Sequence, residues 1–181
     1  MRIISLLPVG PVDRALLEPL AEGLTQRLRV ACAIQPDGLE PEFAFNPLRR
    51  QYHSTEILKK ILPRATSEAW KVLGVTEMDL YIPVLTFVFG EAQLAKGGAV
   101  VSTHRLRQEF YGLPTDPELV RERLLKESLH ELGHTYGLRH CHDYSCVMSA
   151  SNAVERIDLK QAGFCSNCAQ LVPDDEPEFG R

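Results

Sequence analysis

The amino-acid sequence predicts an α/β fold: a twisted mixed sheet, one long helix, and a cysteine-rich C-terminal region with little core of its own. Three observations predict it. Short β-branched apolar runs flank a helical pattern near the N-terminus; a stretch without proline runs from Glu118 to Tyr136; and four of the five cysteines fall in the last 41 residues. A chain of 181 residues can bury one hydrophobic core and is short for two. The expected organisation is a single domain over residues 1–181. It has a sheet-and-helix part over 1–137, a C-terminal part over 138–172 and a tail over 173–181.

Taken in order, residues 2–7 read as a strand. Residues 13–29 carry Leu16, Leu17, Leu20, Leu24 and Leu28 close to helical spacing, and residues 30–34 read as a second strand that holds Cys32 as a small hydrophobe. A strand, a helix and a strand in succession predict a crossover unit, so part of the sheet is expected to be parallel. Residues 54–62 read as a helix with Ser54 placed to cap it, residues 79–83 and 85–89 as strands, Gly97-Gly98 as a turn and residues 99–103 as a further strand. Thr115-Asp116-Pro117-Glu118 opens the long helix: Thr115 and Glu118 are spaced for a capping box, and Pro117 suits the first turn. Leu125, Leu129, Leu132 and Tyr136 form its core stripe, Glu127, His130, Glu131 and His134 lie on another face, and Gly137 supplies a left-handed stop.

Composition narrows the function. Apolar residues at 44% and charged residues at 24% are ordinary for a globular protein, and a net charge of −4 lacks the basic balance of a general nucleic-acid binder. Arg49, Arg50, Lys59 and Lys60 read as solvated surface. No apolar run is long enough to span a bilayer, and the first residues, broken by Pro8 and Pro11, make a poor secretory signal. The expectation is a cytoplasmic protein with neither membrane nor nucleic acid as partner. In a reducing compartment, clustered cysteines point to metal rather than to disulfides.

Chemistry concentrates after residue 129. His130-Glu131-Leu132-Gly133-His134 sets two imidazoles four residues apart on one helical face, where both can reach one ion. A reversal at Gly137 can bring His140 round as the third ligand. Three imidazoles leave the fourth tetrahedral position to water, the mark of a catalytic zinc. Zinc lowers the pKa of such a water to about 7, and Glu131 is placed to act as the general base. Cys141, Cys146, Cys165 and Cys168 form two close pairs, the pattern of a closed four-thiolate zinc whose binding energy is folding energy. Two disulfides or free thiols are the alternatives. His53, His104 and His142 read as surface or core residues, with His142 the one alternative ligand at either site, Met148 as a gap-filling hydrophobe and Tyr144 as packing.

The run from His130 to His140 resembles the long zinc signature of the metzincin peptidases. Its continuation through Cys141, Cys146, Val147, Met148 and Cys165-Ser166-Asn167-Cys168 resembles one branch, the archaemetzincins. The resemblance covers residues 130–168. It implies a compact metzincin-like α/β domain and a monomeric zinc peptidase acting on peptides. Two zinc ions are implied, one catalytic and one structural, with Met148 in the turn beneath the catalytic ion. In metzincins an edge strand above the active-site helix holds substrate in extended form; residues 87–94 and 99–103 are both candidates. From the residues alone, a zinc-stabilised peptide-binding module with a silent site stays open, although the intact Glu131 speaks against it. Hydrolysis of another amide or ester also stays open.

Overall fold

A computed structural model describes residues 2–65 and 69–172; the expected tail, 173–181, lies outside the described residues. In chain order the strands and helices are β1 (Ile3–Pro8), α1 (Arg14–Leu28), β2 (Ala31–Ile34), β3 (Phe45–Asn46), β4 (Gln51–His53) and α2 (Ser54–Ile61). There follow β5 (Ala69–Thr76), β6 (Leu80–Tyr81), β7 (Gly90–Ala92), β8 (Gly98–Ser102), α3 (Pro117–Thr135), α4 (Val154–Leu159) and α5 (Ser166–Ala169). The main sheet has the order β2-β1-β5-β8-β7. β1 pairs in parallel with β2 and β5, and β5 with β8; only the edge strand β7 runs antiparallel. The β1-α1-β2 crossover is thus the unit that the N-terminal pattern predicts.

Alternation along the inner strands divides the core in two. Ile4 and Leu6 of β1, Leu73 and Val75 of β5, and Ala99 and Val101 of β8 face α1, α3 and the C-terminal region. Leu7, Val72 and Val100 point the other way, onto Ile57 and Ile61 of α2. β5 is the centre of the sheet and is not among the strands that the sequence predicts. It is buried on both faces, so it shows no polar alternation, and Lys71 and Gly74 break its apolar run.

Several boundaries differ from expectation. His53, not Ser54, is the N-cap of α2; the Ser54 hydroxyl donates instead to the Tyr81 carbonyl and the Glu91 carboxylate. Asp116, not Thr115, caps α3, accepting from the Leu119 amide at 3.0 Å. Residues 79–83 keep only β6, which joins β3 and β4 in a small second sheet. Residues 85–89 form a loop with one bridge, Val88 to Leu80, because this segment is held by side chains rather than by a ladder. Arg49 stacks on Tyr81 and donates to the carbonyls of Leu85 and Thr86 at 2.7 and 3.0 Å, so it is a structural clamp rather than solvated surface. Arg50, Lys59 and Lys60 are exposed as expected. Among the described residues no helix is long and apolar enough to cross a membrane.

Candidate active site

The last turns of α3 carry His130, Glu131 and His134. The helix ends at Tyr136, and Gly137, at φ +96°, reverses the chain. Leu138 anchors the return in the core, and His140 comes back over the helix. The ring centroids of the three histidines are 4.7, 5.3 and 5.1 Å apart, and one ligand atom from each lies within 4.8 Å of the others. Nδ1 of His130 is 2.8 Å from the Val147 carbonyl oxygen, and Nδ1 of His134 is 2.8 Å from that of Leu138. A ring nitrogen facing a carbonyl carries the proton, so both Nε2 atoms present lone pairs. These two atoms are 3.1 Å apart. Burial holds His130 well below the usual histidine range and lowers His134 and His140 as well, which favours the neutral, ligating form. Facing lone pairs at that distance repel unless a cation draws both. Two nitrogens on a tetrahedral zinc stand about 3.3 Å apart, so the group fits a zinc ion.

Glu131 lies on the same helix under β7, and burial pushes its carboxyl well above the usual range, with Glu127 and Glu91 adding to the effect. Glu127, one turn back, is buried against Lys160, whose Nζ is 3.3 Å from Oε1; burial raises Glu127 and Lys160 opposes the rise. The helix floors a cleft of about 470 Å³, walled by residues 85–92 on one side and by His140, Ala150, Ser151 and Asn152 on the other. Of the two candidate substrate strands, β8 is enclosed between β5 and β7, whereas β7, inside 87–94, is the edge. Lys71 ties the β7–β8 hairpin to the end of α3: its Nζ donates to Thr135 O at 2.8 Å and to Lys96 O at 3.0 Å, and burial pulls the ammonium down to about 8.

The four thiols form the second group, with their sulfurs within 4.8 Å of one another. Sγ of Cys141 and Cys165 are 3.8 Å apart, and all five cysteines are free. A disulfide requires about 2.05 Å, so the disulfide alternative does not hold. Sulfurs each about 2.3 Å from a tetrahedral zinc stand about 3.8 Å apart. Backbone amides of Asp143 and Cys165 donate to Cys141 and Cys146 sulfurs, and the Cys168 amide draws the Cys165 thiol down to about 7. Burial raises Cys146 and Cys168. Cys32 stays in β2, apart from the group.

His142 is exposed and belongs to neither group; His53 stacks on Tyr81, and His104 meets Phe110 edge to face. Tyr144, expected to pack, is 71% exposed, because the turn that carries it points outward. Met148 is fully buried under α3, its side chain against Gly133. Sequence reasoning missed Lys71, Lys160 and Gly90 as neighbours of the site. Only Gly90 left a signal, a glycine at the mouth of an apolar run.

A metzincin-like fold with an imidazole group in a cleft and a closed thiol group defines a class: this is a zinc metallopeptidase. Residues 49–173 match the model of peptidase family M54, and the chain belongs to that family. It is 43% identical to the archaemetzincin of Methanocaldococcus jannaschii over 94% of this chain and 93% of that one. It is 38% identical to the archaemetzincin of Pyrococcus furiosus over 99% and 95%. Among solved structures, the zinc-dependent peptidase from Methanocorpusculum labreanum aligns with a TM-score of 0.84 at 33% identity, covering 94% of this chain and 100% of that one. The archaemetzincin from Archaeoglobus fulgidus, complexed with malonate, aligns at 0.82 with 38% identity over 95% and 100%.

Proposed function

We propose that this peptidase cleaves peptide bonds with a zinc held by His130, His134 and His140 and with Glu131 as general base. We further propose that Cys141, Cys146, Cys165 and Cys168 hold a second, structural zinc in a single domain whose 138–172 part depends on it. The observation that carries the reading is the 3.1 Å approach of two Nε2 lone pairs whose Nδ1 partners are already committed to carbonyls. A zinc held by those imidazoles would supply Lewis acidity and lower the pKa of a water to about 7. Glu131 would accept the proton of the attacking water and pass it to the leaving amine. The cation's charge would oppose the burial that otherwise favours the neutral acid. β7, as the edge of the sheet, receives the substrate as an added strand, with main-chain bonds giving affinity and little sequence preference.

The test is metal analysis together with a peptide-library digest read by mass spectrometry, on wild type and on Glu131→Gln. Both proteins should hold two zinc ions per chain. The variant should lose a factor of about 10²–10⁴ in kcat. Equal cleavage by the two proteins removes Glu131 from the mechanism, and a single zinc in wild type removes one of the two sites.

A further inference from the structure

The edge strand meets the catalytic helix at a residue without a side chain. A Cβ built on Gly90, the first residue of β7, would stand 2.7 Å from Cγ and 2.8 Å from Oε1 of Glu131, and 2.7 Å from the carbonyl oxygen of Val100. Non-bonded heavy atoms rest at about 3.5–4.0 Å, so any larger residue must displace Glu131 or the strand.

The main chain of Gly90 also faces outward. Gly90 pairs with Val101, Glu91 with Val100 and Ala92 with Ala99 in the antiparallel ladder. Ser102 N donates to Phe89 O at 2.8 Å, and Gln93 N donates to Gly98 O at 3.1 Å. Odd-numbered positions therefore bond inward to β8. The alternation of such a ladder turns the N–H and C=O of Gly90 and Ala92 to the open edge. One residue thus offers main-chain groups to an added strand and leaves the space of its absent side chain to the carboxylate below it.

We propose that Gly90 is the positioning residue of Glu131: its missing side chain seats the carboxylate against the edge strand, in register with the main-chain groups that hold the substrate. This rests on Glu131 being the base. The glycine fixes how far the proton acceptor lies from a carbonyl carried on the neighbouring strand, and misplacement by about 1 Å can cost about 100-fold in rate.

The experiment compares Gly90→Ala with Gly98→Ala, the latter in the same hairpin but with the Leu62 and Ile61 side chains as the nearest neighbours of its added carbon. Each is made in wild type and in Glu131→Gln, with rates referred to the zinc-loaded fraction. Gly90→Ala should keep its zinc, lose about 100-fold in kcat and hold KM within about threefold. Gly98→Ala should leave kcat within about twofold of wild type, whatever its melting point. In the Glu131→Gln background, Gly90→Ala should add no further loss. A crystal structure of Gly90→Ala should show the Glu131 carboxylate displaced. The proposal falls if the loss is the same in both backgrounds, if the two glycines lose kcat in step with melting point, or if Gly90→Ala sheds its zinc and unfolds. Failure of the base assignment reads differently: Glu131→Gln then cleaves as fast as wild type.

Discussion

The imidazole group and the thiol group are joined by the adjacent residues His140 and Cys141, yet they are built in opposite ways. Two of the imidazoles hang from a long helix packed on the sheet, the third returns on the segment after Gly137, and all three open onto a cleft. The thiols come from turns and a four-residue helix, and two of them are buried, Cys146 at 1% and Cys168 at 8% exposure. On the proposed reading, three donors carried mostly by a packed helix would leave a coordination position for chemistry, and four donors on a weak scaffold would close round an ion and stabilise the scaffold. Donor number and the rigidity of what carries the donors decide whether binding energy serves reaction or folding.

Three substitutions break or sharpen that contrast. Cys168→Ser has the largest expected effect. It should remove one zinc and destabilise the chain by several kcal/mol, against apparent zinc-binding energies of about 10–16 kcal/mol in small zinc domains. Thermal melts with and without chelator check this; a chain that melts like wild type denies the thiols a folding role. His140→Ala should keep the thiol zinc and the melting point while weakening the other ion by more than the about 10–100-fold typical of losing an outer-shell partner. Competition with a chelator measures it, and loss of both ions together would erase the distinction between the groups. Lys71→Met should act least. It leaves Thr135 O and Lys96 O without their donor, at a cost of about 1–3 kcal/mol, partly offset by relief from burying an ammonium. Its size changes with pH. Burial holds Lys71 at about 8 in the folded chain, against about 10.4 in the unfolded one. Between those values the unfolded state binds more protons, so wild type should gain stability as pH rises. The variant should lack that gain, and equal slopes in urea melts at pH 8 and 10 would refute it.

The site was more legible in the sequence than the sheet that supports it. His130, Glu131, His134 and His140 lie within eleven residues, so helical spacing and one glycine suffice to bring them together. β5 was hidden because it is buried on both faces and carries Lys71, which reads as surface until its two carbonyl acceptors are seen. The choice between the two candidate substrate strands was equally hidden. Edge position depends on strand order, which long-range pairing sets. Thr115 and Asp116 both suit an N-cap by type, and the bond that Asp116 accepts from the Leu119 amide, seen only in the fold, separates them. Lys160 left no trace, since its partner Glu127 is 33 residues away.

The carbonyls of Leu138 and Val147 orient the two helical imidazoles, and both belong to the segment that carries Cys141 and Cys146. On the proposed reading the two ions are coupled through those carbonyls: a chain short of thiolate-bound zinc would let its imidazoles turn and would hold the reactive ion more loosely, without losing it outright.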